Sequence, residues 1–69
     1  MNKIVVLIKK GWTIDEIRYD RWNKWFYAHA VHESQEASAD GSGATYTEAF
    51  DMMYEQAIKS TPAWYLEQL

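Results

Sequence analysis

The stretch Arg21–Glu33, RWNKWFYAHAVHE, packs two Trp, one Phe, one Tyr and two His into thirteen residues. Its period decides the fold. Read as a strand, with side chains alternating between faces, it sends Phe26, Ala28 and Ala30 one way and Trp25, Tyr27, His29 and Val31 the other. Read as part of a helix over 14–31, it gathers Ile14, Ile17, Trp22 and Trp25 on one side. Arg18, Arg21 and His29 fall inside the same arc, so that helix would bury charge. The strand reading is therefore preferred. It also separates His29 and His32, which lie three apart: a helix would pair them for a metal, whereas a strand sends them to opposite faces. HAVHE matches neither HExxH nor HxxEH, and no metal site or cofactor is expected.

Working outward, Trp12 to Tyr19 reads as the preceding strand, with imperfect alternation that suggests a bulge, and Asp20–Asn23 (DRWN) as the turn. Ile4 to Ile8 is short and β-branched, and Lys9-Lys10-Gly11 bounds it, so it reads as the first strand. Ala39–Ala44 (ADGSGA) reads as a glycine turn, without the Lys-Ser/Thr of a phosphate loop. The helix is expected at 46–59. Thr45 and Glu48 form a capping box, Tyr46, Ala49, Phe50, Met53, Tyr54 and Ala57 share its apolar face, and Glu48, Asp51 and Glu55 line the opposite one. Thr61-Pro62 then suits the start of a short C-terminal helical turn. The expected fold is α+β and two-layered: one domain over 1–69, an antiparallel sheet of three or four strands, and one amphipathic helix in the order β-β-β-α.

With 69 residues and no Cys, the chain can hold one core and no disulfide or thiolate site. Small chains of this kind rely on dense packing, metal or oligomerisation. The five-residue apolar run Ile4–Ile8 is shorter than a signal-peptide core of about 7–15 residues, and nothing approaches a membrane span of ~20 residues. A soluble cytoplasmic protein is expected. The net charge of −3 disfavours general nucleic-acid binding. The charge is uneven: the first 24 residues hold six bases against three acids, and the remaining 45 hold one base against seven acids. The serines lack a nucleophile motif, and a one-helix layer leaves little room for a pocket. No enzyme is expected.

From Phe26 onward, FYAHAVHESQEASADGSGATYTEAFDMMYEQAI resembles the small HicB-type antitoxin domain, through Gly43, Thr45, Glu48, Ala49, Ala57 and Ile58. That resemblance implies a β-β-β-α unit that works by protein contact. GSGATYTEA is similar, too, to the end of a double-stranded-RNA-binding domain, but Tyr46, Thr47 and Glu48 stand where such a domain places lysines. Since one helix covers only one face of a sheet, the second face, with Trp22, Trp25, Tyr27 and Val31, needs a cover: the tail Trp64-Tyr65-Leu66, a second copy or a foreign protein. The expected function is a non-enzymatic protein–protein interaction module, a homodimeric acidic binder or inhibitor of a larger protein, such as a phage or mobile-element accessory. Its acidic face would be Glu48, Asp51 and Glu55, extended by Glu33, Glu36 and Asp40. The alternative is single-stranded nucleic-acid binding, with bases stacked on Trp22, Trp25 and Tyr27 and the backbone held by Arg18, Arg21 and Lys24.

Overall fold

A computed structural model describes residues 2–66, with only the backbone of 65 and 66. The elements are α1 (Lys3–Lys9), β1 (Trp12–Asp20), β2 (Trp25–His32), β3 (Ser38–Gly43), α2 (Tyr46–Ser60) and α3 (Ala63–Leu66). The sheet is antiparallel, with β2 between β1 and β3. The α+β class and a three-stranded antiparallel sheet are as expected, but the order begins α-β-β-β-α rather than β-β-β-α, because two of the assignments change.

The run Ile4–Ile8 lies within a helix. The Asn2 side chain accepts the Ile4 amide at 2.8 Å as an N-cap, Lys9 stands in the last turn, and Gly11 takes a left-handed φ of 87° just past the end. These caps outweigh the weak β preference of a five-residue run. The expected glycine turn at 39–44 is instead largely the third strand, paired from Val31↔Ser38 to Phe26↔Gly43. Its glycines serve close approach rather than turning. A Cβ on Gly41 would lie 2.0 Å from the Ala49 carbonyl oxygen and 2.4 Å from the Met53 amide, so the α2 backbone rests directly on β3.

The remaining elements follow their local signals. At the α2 N-terminus the Thr45 hydroxyl accepts the Glu48 amide at 3.2 Å, while the Glu48 carboxylate accepts the Ala44 amide at 3.0 Å. Ala49, Phe50, Met53 and Ala57 are buried against Ala28, Ala30 and Ala39, whose small side chains let the helix sit low on the sheet. Thr61 does not start the last helix. Its hydroxyl donates to the Ala57 carbonyl at 2.8 Å and accepts the Trp12 indole N–H at 2.9 Å, closing α2 and tying it to β1.

Both α1 and α2 pack on the same face. Leu7 is fully buried in the core with Met53, and Lys3 pairs with Asp51 at 2.5 Å. The suspected irregularity in β1 lies between Ile14 and Glu16. Its extra residue lets Ile17, opposite Ala28, and Tyr19, opposite Phe26, join Trp12 and Ile14 on the helix side.

Candidate interaction surface

The middle strand divides its side chains between the faces as its period requires. Ala28, Ala30 and His32 are buried under the helices, whereas Trp25 and Val31 are each 38% exposed on the other side. The antiparallel register sets three rows across this open face: Thr13–Val31–Ser38, Glu16–His29–Asp40 and Arg18–Tyr27–Ser42, with Asp20 beside Trp25. The Arg18 guanidinium lies 5.2 Å from the Tyr27 ring centre, within range of a cation–π contact, and its Nε is 3.7 Å from Glu16. His29 Nδ1 and Asp40 Oδ1 meet at 2.5 Å. Asp15, Glu16, Arg18, Tyr27, His29 and Asp40 border a shallow depression of about 420 Å³. The result is an apolar and aromatic row flanked by charges of both signs.

At one end of this face the β1–β2 turn projects. Trp22 is 95% exposed at its tip. Asp20 accepts the amides of Trp22 and Asn23 and the Asn23 side-chain amide. The Asn23 and Trp22 amides hold its carboxyl below the usual carboxylate range. Lys24 closes the turn with a left-handed φ of 52°. Trp25, Tyr27 and Val31 therefore share one face, and Trp22 stands beyond its end. Arg18 belongs to that face, with Arg21 and Lys24 in the turn.

The acidic helix face is less available than its sequence implies. Glu48 caps α2, and Asp51 is held by Lys3, whose ammonium also lies 5.3 Å from the Tyr54 ring centre. The Asp51 hydrogen bond raises the Lys3 pKa above its ordinary value. Glu55, on the following turn, is exposed, as is Glu48. Asp40 lies on the opposite side of the sheet, facing His29.

His32 is a core residue, 1% exposed. Its Nε2 donates to the Lys10 carbonyl at 2.8 Å and its Nδ1 accepts the Ser34 amide at 3.1 Å, which fits the neutral tautomer with hydrogen on Nε2. Trp12 meets it edge-on at 5.2 Å. Among the described residues, no three His, Asp or Glu side chains cluster to hold a metal, and no helix is long and apolar enough to cross a membrane. From the C-terminal turn, the Trp64 indole N–H reaches Glu36 in the β2–β3 loop at 3.4 Å. The side chains of Tyr65 and Leu66, also considered as a cover, lie outside the described residues.

A second surface escaped the sequence reading. On α1, Ile4, Val5 and Ile8 are 41%, 43% and 62% exposed, and Ile17 and Tyr19 on the helix side of β1 are 44% and 49% exposed. Ile4 and Ile8 border a groove of about 370 Å³ with Gly11–Ile14 and Glu33. The signals that could have revealed it were Asn2 and Gly11 as helix caps, together with the phase shift in β1.

Compared with protein-family models, curated proteins and solved structures, the chain matches none of them.

Proposed function

We propose that this chain is a non-enzymatic interaction module that binds another protein through the open face of its sheet. The observation that carries the reading is the Trp25–Tyr27–Val31 row. It stands on the central strand, uncovered by α1 or α2, with His29 between Tyr27 and Val31 and with Glu16, Arg18, Asp40 and Ser42 on the two flanking strands. Protein interfaces combine these parts: aromatic residues at the centre and polar residues of both signs around them. The acidic helix residues contribute less to this reading, because Glu48 and Asp51 already have intramolecular partners. The antitoxin-like resemblance agrees with a role in protein contact, and capture of a larger protein is the corresponding activity.

The test is a photocrosslinker placed at Tyr27, with a second placed at Lys59 on α2 as a control, in the cells that make the protein. A discrete protein crosslinked from Tyr27, and lost when Trp25 is changed to Ser, supports the reading. Equal capture from both positions removes it.

One observation favours a second reading, single-stranded nucleic-acid binding. Arg18 stacks over Tyr27 beside the Arg21–Lys24 turn, which sets a stacking platform for a base next to cations for a phosphate. Glu16, Asp20 and Asp40 stand among those bases and weaken the attraction. Trp fluorescence quenched by a short oligonucleotide at low salt and restored at high salt would select this reading over the first.

A further inference from the structure

We propose that two copies of the chain pair edge to edge through β1, antiparallel about a two-fold axis at Ile17, so that two three-stranded sheets join into one of six strands. The proposal rests on reading the chain as an interaction module, but not on the open-face site.

The two sheet edges differ. Along β3, the Asp40 amide already donates to the Gln56 side chain of α2 at 2.9 Å, so part of that edge is occupied. β1 is the opposite edge and the longest strand, nine residues, with side chains exposed from Asp15 to Tyr19. Such an edge is open to pairing unless it is covered or interrupted, and the bulge leaves Glu16–Asp20 regular beyond it.

Charge then selects the register. A two-fold axis perpendicular to the sheet keeps both helix layers on one side and pairs residues that share a face. Centred on Glu16 it would oppose two glutamates, and centred on Arg18 two arginines; like charges directly opposite destabilise a strand pair. Centred on Tyr19 it would set Ile17 opposite Arg21 and draw on Asp20, whose carboxylate already holds the turn. Centred on Ile17, it opposes Glu16 of each chain to Arg18 of the other, twice, and sets Ile17 against its own copy on the helix side.

The same axis fills the gap in the helix layer. Seven residues of α1 span roughly 10 Å, against roughly 30 Å for nine residues of strand, so α1 leaves the far half of β1 bare. Antiparallel pairing lays the start of one β1 beside the end of the other. Ile4 and Ile8 then lie toward the uncovered Ile17 and Tyr19 of the second copy. These side chains with Val5 present apolar surface on the order of 400 Å² per chain, about half of what each partner buries in a standard interface, with strand backbone and rim supplying the rest.

Light scattering over a concentration series tests the seam. The expected mass is twice the chain's 8.1 kDa. Glu16→Arg and Arg18→Glu should each weaken association at least tenfold, and the double variant Glu16→Arg/Arg18→Glu should restore it. Circular dichroism confirms that each variant is folded. For any that is not, isotope-filtered NOEs from Ile17 of a labelled chain to Ile17 of an unlabelled one in the native protein make the same test without substitution. A native protein that stays at 8.1 kDa up to millimolar concentration overturns the proposal. So do single variants that remain dimeric, a double variant that remains monomeric, or a dimer without Ile17–Ile17 contacts. Glu16 and Arg18 also border the open face, so the two readings are separated in the native sequence. Ile17–Ile17 NOEs decide the seam, crosslinking from Tyr27 decides the open face, and each can fail without the other.

Discussion

Along β3 the helix backbone comes so close that Gly41 has no room for a methyl group. Along β1, Ile17 and Tyr19 on the same side of the same sheet remain nearly half exposed. Both regions belong to one helix-covered face and differ in what lies above them: a 15-residue α2 seated on small residues, or a seven-residue α1 that covers only the start of its strand. Atomic fit concentrates at one edge, whereas the other retains apolar surface and a free strand. Folding can therefore depend on the first region while association draws on the second.

The sharpest way to break this contrast is Gly41→Ala. The added Cβ meets helix backbone rather than a flexible side-chain tip, so α2 must lift off β3. The expected loss is about 3 kcal/mol or more, comparable to the whole stability of a domain this small, and a thermal melt should show little cooperative unfolding. His32→Leu comes next. It keeps the bulk but leaves the Lys10 carbonyl and Ser34 amide without their ring partners, at a cost of about 1–3 kcal/mol in urea unfolding. Thr45→Ala removes the side chain that accepts the Glu48 amide and should cost about 1 kcal/mol by the same measurement.

The same contrast explains what the sequence made legible. α2 and the face assignment of β2 could be read because each carries its own period and α2 a complete capping box. β3 was hidden because SADGSG has no strand composition, and its glycines are required by a helix backbone that the sequence does not place. α1 was hidden for a different reason: five β-branched or aliphatic residues fit either state, and the deciding signals, Asn2 and Gly11, lie outside the run. The row Trp25, Tyr27, Val31 was recoverable from alternation alone, whereas Glu48 and Asp51 looked available because their partners, the Ala44 amide and Lys3, are set by capping geometry and tertiary packing. The exposed pair Ile17 and Tyr19 needed both the bulge and the length of α1.

The smallest effect on folding, and the one that separates the two regions most cleanly, is expected at Ile17. Its side chain is 44% exposed on the sparse side, so Ile17→Lys leaves the long methylene stem against the sheet and carries its ammonium into water. At a dilution low enough for light scattering to report single chains, the variant should unfold within about 0.5 kcal/mol of the native protein. The difference should emerge with concentration. A species that associates only when folded gains stability by mass action, so the native melting temperature should climb as the protein is concentrated, while two lysines facing each other at the seam hold the variant's nearly constant. If both proteins climb together, the free edge of β1 is not where the copies meet. A large loss at dilution would instead mean that the β1 side contributes to folding as much as the β3 side does, and the contrast between them would fall.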